Sequence, residues 1–98
     1  MTKKSERYVV VTTDEKRRGV FAGILESGEV GGSVVLRESR MIVYWSAATR
    51  GVLGIAVTGP ADGSRVSPAA PRTELDGITS ITDCSSEARK RIEEGPWS

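Results

Sequence analysis

A series of short β-branched runs crowded into the first half constrains this chain more than any other feature. "RYVVVTT" (7–13), "VFAGILE" (20–26), "SVVLR" (33–37) and "RMIVYWS" (40–46) are rich in Val, Ile and aromatic residues, which suits strands. They are separated by "DEKRRG" (14–19), "SGEVGG" (27–32) and the dipeptide "ES". Connections this short leave no room for a crossover, so the sequence predicts four strands in an antiparallel meander. Gly23, inside the second run, marks a bulge or a sharp bend. Strands at such spacing close into a small barrel or pack as a sandwich.

The second half is less regular. The apolar centre of "ATRGVLGIAVTGP" (48–60), "VLGIAV" (52–57), reads as a central strand or a short packed helix. It is equally open whether that run is core or a surface where a second copy approaches closely. "ADGSRVSPAAPR" (61–72), with Pro68 and Pro71, reads as a loop or edge segment. "TELDGITSIT" (73–82) supplies one more strand, with Asp76-Gly77 as a turn or bulge. "SSEARKRIEEG" (85–95) is the one clear helix. Ser85 caps it, Glu87 suits its N-terminal end and meets Lys90 and Arg91 at helical spacing, and Gly95-Pro96 ends it. Ala88 and Ile92 form its apolar stripe, and Trp97 is expected to fold back onto the barrel.

The resulting expectation is a polar tail (1–6) followed by a single β-rich domain (7–98), with the helix at about 85–94. Its fold class is mainly β, a small antiparallel barrel or sandwich with one short C-terminal helix. The succession "RGVFAGILES…GGSVVLRESRMIVYW" resembles SH3-like and Sm-like barrels, where a glycine-bent strand is followed after a turn by a "VVL" strand. For the Sm-like case the resemblance implies a ring that binds RNA, though fold likeness by itself assigns no function.

Histidine is absent and Cys84 is the single cysteine. That excludes Ser-His-Asp and Cys-His sites and argues against a zinc site within one chain. The carboxylates are scattered, so no catalytic residue, metal or cofactor is expected. Cys84 reads either as a small packed residue or, just before a helix, as a thiol of lowered pKa. Fourteen basic and thirteen acidic residues leave a net charge of +1, no bulk drive toward DNA or a membrane surface. No apolar run approaches the roughly 20 residues that span a bilayer, and the basic N-terminus lacks the apolar stretch of a signal peptide. A soluble, cytoplasmic protein is expected.

Charge is uneven at finer scale. Between residues 39 and 72, Arg40, Arg50, Arg65 and Arg72 face a single carboxylate, Asp62, and no lysine. The planar guanidinium matches phosphate and carboxylate. Tyr44 and Trp45 point to opposite faces of a strand. Trp45, beside Met41 and Val43, is assigned to the core, which leaves Tyr44 to stack on a base. "TGPADGS" is a turn whose backbone N–H groups can line an anion site. Arg40, Tyr44, Arg50, Thr58, Gly59, Arg65 and Arg72 are therefore the candidate residues for an anionic, nucleotide-type ligand. The plainer alternative keeps these arginines solvated or paired with acids, the turn ordinary, and Lys16-Arg17-Arg18 a solvated hairpin tip. Self-association is expected through residues 51–59, with Arg50 and Arg65 at the seam.

"VVVTT…RGVFAGILE", "VYWS", "RGVLG", "TGP…G", "GITSITDC" and a short helix ending in "PW" occur in this order. Together, over residues 7 to 97, they resemble an uncharacterised family of small bacteriophage and prophage proteins. The resemblance brings no assigned catalytic residues. It implies a phage protein at work in an infected bacterial cell, where small non-enzymatic proteins often act against host defence. The functional expectation is a homo-oligomeric counter-defence protein that sequesters a nucleotide signal of host immunity, a sponge. Two alternatives stand beside it: an Sm-like ring binding single-stranded nucleic acid, and a protein-interaction or virion-assembly protein.

Overall fold

A computed structural model describes residues 6–14 and 19–95. The Lys16-Arg17-Arg18 tip and Trp97 lie outside the described residues. In chain order the elements are β1 (Tyr8–Thr13), β2 (Val20–Gly28), β3 (Val34–Tyr44), a 3-10 turn (Ala47–Thr49), α1 (Gly51–Thr58), β4 (Arg65–Val66), β5 (Ala70–Leu75), β6 (Ile78–Asp83) and α2 (Ser86–Glu93). The fold is mainly β with a short C-terminal helix. Its strands form one antiparallel sheet ordered β6-β1-β2-β3, and the outer edge of β3 is shared by β5 and β4.

β1 sits inside the sheet, and Tyr8, Val9, Val10 and Val11 are all buried. A run with no polar alternation is what a strand covered on both faces requires. One face packs Tyr8, Val10, Ala22, Ile24, Ile42 and Val66 beneath Ile55 and Ala56 of α1 and Ile92 of α2. The opposite face packs Val9, Val11, Val34, Leu36 and Ile78, with Phe21, Leu25, Leu75 and Ile81 against them. Full burial of each valine, leucine or isoleucine among them contributes about 1.5–3 kcal/mol. The second core exists because the sheet curls. β5 and β6 flank opposite edges yet are joined by Asp76-Gly77 alone, and Ile78 exchanges backbone hydrogen bonds with the β2–β3 turn: its N–H donates to Gly32 O (3.1 Å) and its carbonyl accepts from Gly31 N–H (2.9 Å).

Several expectations are corrected. The runs 33–37 and 40–46 are one strand, so the opening meander has three strands, not four. "ES" is a bulge rather than a turn. Glu38 takes a left-handed φ of 50° and absorbs an extra residue, so Ile24 pairs with Arg37 while Ala22 pairs with Arg40. The inserted residue changes the side-chain parity: Leu36 faces the inner core and Ile42 the helix-covered core. Gly23 lies opposite this bulge, as its sequence position suggested. Residues 73–82 span two strands rather than one, with Asp76-Gly77 as the turn; of the two forms open to "VLGIAV", the chain takes the short helix. Trp45 packs against the helix-side core, but Met41 and Val43 are exposed. At α2, Ser85 Oγ accepts from Ala88 N–H (3.0 Å) as expected of a cap. Glu87 forms no ion pair with Lys90 or Arg91, because Arg91 turns to Asp62 (2.5 Å), Pro60 O (3.1 Å) and Glu94 (3.5 Å). Among the described residues no helix is long and apolar enough to cross a membrane.

Candidate functional site

β3 outruns β5 at its C-terminal end, and the two-residue β4 pairs with the remainder, setting Ile42 opposite Val66 and Tyr44 opposite Arg65. β4 is short but firmly held. Val66 is buried, Ser67 N–H donates to Met41 O (2.9 Å), and Met41 N–H donates to Ser67 Oγ (2.8 Å). The connection from α1 into β4 is clamped from beneath by a buried polar group. Thr49 Oγ1 accepts from Ala61 N–H (2.8 Å) and lies 3.4 Å from Ser64 Oγ, which accepts from Ser46 N–H (3.1 Å). Buried hydroxyls satisfied in this way fix a loop as firmly as a small apolar core does. Arg91 adds a second clamp from α2 through Pro60 O and Asp62.

These supports shape a shallow cleft of about 280 Å³ lined by Val43, Tyr44, Gly63 and Arg65. A neighbouring cleft of about 340 Å³ is lined by Val43, Tyr44 and Trp45. Tyr44, which lines both, is 53 % exposed. Tyr44 and Arg65 pair just past an irregularity in the β3–β4 register and both line the first cleft, so the phenol and the guanidinium border one space. Asp62, the lone carboxylate of residues 39–72, is engaged by Arg91. Arg65 accordingly has no hydrogen bond or ion pair among the described residues. The arrangement offers an aromatic face, an apolar wall and an uncompensated planar cation, a set that suits a phosphorylated ligand carrying a base.

The other candidates are placed differently. Arg40 lies on the helix-covered face, its Nη1 donating to Ser67 O (3.0 Å). Arg72, on the edge strand, pairs with Glu74 (2.7 Å). Thr58 Oγ1 donates to Gly54 O (3.2 Å), and Gly59 N–H donates to Ile55 O (3.0 Å) while the residue itself is buried. The amide proposed from sequence as an anion donor is thus committed to ending α1. Arg50 is exposed ahead of α1, without a partner among the described residues. Two cleft residues escaped the sequence reading. Gly63, at φ 91°, belongs to the same "TGPADGS" turn, and the Asp62-Gly63 pair is the sequence signal that would have favoured it over Gly59. Strand alternation groups Val43 in the core with Trp45, but β3 ends at Tyr44, so Trp45 turns to the helix-side core while Val43, next to buried Ile42, stays exposed.

Cys84 packs against the helix-side core, and burial, reinforced by the Asp83 carboxylate, pushes its thiol up to about 12. It is a protonated packing residue at neutral pH, not a lowered-pKa thiol. Among the described residues no group of three or more His, Cys, Asp or Glu side chains is arranged to hold a metal ion. No curated protein and no solved structure matches this chain. Over residues 6–92 it matches a domain of unknown function, DUF6948, and the chain belongs to that family.

Proposed function

We propose that this protein is a non-catalytic binding module that takes a phosphorylated, base-bearing ligand in the Tyr44–Arg65 cleft. In this reading it acts as a homo-oligomer in an infected bacterial cell and sequesters a nucleotide signal of host defence. The observation that carries the reading is the cross-strand pairing of an exposed tyrosine with an arginine that has no partner among the described residues. A guanidinium left in water at a cleft wall needs no ion pair for folding, yet can make a charge-assisted contact when an anion arrives. The adjoining apolar space beside Val43 and Trp45 gives the base somewhere to lie. The phage setting comes from the sequence resemblance alone.

A thermal-shift screen tests it, using cyclic dinucleotides, cyclic oligonucleotides, ADP-ribose derivatives and short RNA and DNA oligomers. One nucleotide class should raise Tm, and Arg65→Ala and Tyr44→Ala should each weaken its binding about tenfold, the size of one charge-assisted or stacking contact. A flat panel overturns the reading. Binding only by oligomers, with a steep salt dependence, replaces it with the single-strand reading.

A further inference from the structure

We infer that α1 is the seam of a homodimer, in which two copies pack their Leu53–Val57 faces antiparallel and set Arg50 of each copy against Glu87 of the other. This rests on the self-associating part of the proposed function and is independent of the ligand. The helix "GVLGIAVT" contains no charged residue. Ile55 and Ala56 are buried in the core and Val52 packs against it, whereas Leu53 and Val57, one turn apart, are 67 % and 61 % exposed. Aliphatic side chains at that spacing form a continuous stripe along the outer surface of the helix.

The ends of the stripe carry opposite charges. At its start, Arg50 breaks three local rules at once. It is a non-glycine residue at φ 70°, it places a cation at the positive end of a helix, and it has no partner among the described residues. At its far end, Ser85 N–H donates to Ala56 O (2.9 Å) and Ser85 Oγ donates to Val57 O (2.6 Å), so the first turn of α2 begins where α1 finishes. Glu87 in that turn is exposed and likewise has no ion pair among the described residues.

A two-fold axis across the middle of α1 makes this pattern self-complementary. Arg50 of each copy meets Glu87 of the other, twice per dimer, and each Glu87 also approaches the positive end of the facing α1. Parallel pairing would instead oppose arginine to arginine. Arg50 to Val57 spans only about 10 Å of helix. The face is therefore smaller than the roughly 800 Å² per partner of a standard interface, and the dimer is weak.

Sedimentation equilibrium of the full chain at low salt, from micromolar to millimolar concentration, tests the inference, with circular dichroism melts to verify that each variant is folded. The wild type should show a monomer–dimer equilibrium that Leu53→Asp abolishes. Arg50→Glu and Glu87→Arg alone should each weaken the dimer about tenfold or more, while the two together restore it. A wild-type monomer throughout, a dimer indifferent to Leu53→Asp, or a double reversal that fails to rescue overturns it. Nucleotide binding by the monomeric Leu53→Asp variant would preserve the ligand reading without the seam. A rescued dimer that binds no nucleotide would preserve the seam without the ligand.

Discussion

Two titratable side chains, Tyr8 in the core and the half-buried Cys84 packed against it, make the residue scale testable. The Tyr8 hydroxyl is buried beneath α2 without a hydrogen-bond partner among the described residues, and its ring carries the Arg89 guanidinium 4.9 Å from the centroid. Removing a hydroxyl that makes no bond relieves its desolvation and leaves the stacking intact. Tyr8→Phe is thus expected to be as stable as wild type or more so; urea unfolding with a loss above about 1 kcal/mol would refute this. Burial makes both Tyr8 and Cys84 harder to deprotonate, pushing the Cys84 thiol up to about 12 from an ordinary 9.0. The unfolded chain releases the Cys84 proton near pH 9, while the folded chain holds it, so the thiol has no effect on stability below pH 9 and lowers it as pH rises above 9. Melting curves across that range should show the fall, and Cys84→Ala should lessen it. The uneven charge of residues 39–72 was legible as sequence, but not which arginine stays free. That depends on Asp62 reaching Arg91, 29 residues away, and on Arg72 finding Glu74.

Among elements, β3 and α1 decide where the cleft lies. β3 must run past its own bulge to bring Tyr44 beyond β5, and the bulge needs a close approach from β2. A Cβ on Gly23 would lie 3.0 Å from Arg37 O and 3.1 Å from the Ser39 Cα. Gly23→Ala should therefore cost about 1–2 kcal/mol by chemical denaturation, because both obstacles are backbone. Gly59→Ala should cost more, roughly 2–4 kcal/mol, since it combines a φ of 85° with a Cβ only 2.6 Å from Arg91 Cβ. Equal stability of either variant with wild type would contradict the packing described. Gly23 was readable because a glycine inside a β-branched run has few other uses. The unity of β3 was not, because "ES" looks like a turn unless Glu38 is allowed a left-handed backbone. Nor was α1, since a six-residue apolar run carries too little periodicity to separate a buried strand from a helix.

For the whole molecule, what was legible is the class: a small antiparallel β domain with a C-terminal helix capped by Ser85. The topology required long-range information. β4 and β5 divide one edge of β3, β6 returns to β1, and the Asp76-Gly77 corner makes the sheet curl around a second core. The cleft follows from that division, because only the stretch of β3 left over by β5 is free to pair Tyr44 with Arg65. The most direct measurement is a titration of the ¹⁵N-labelled protein with the nucleotide panel, followed by amide chemical shifts. Perturbations concentrated at Val43–Ser46 and Gly63–Val66 are the predicted result. Binding that shifts other surfaces and leaves these amides unmoved, or no binding by any member, would contradict it.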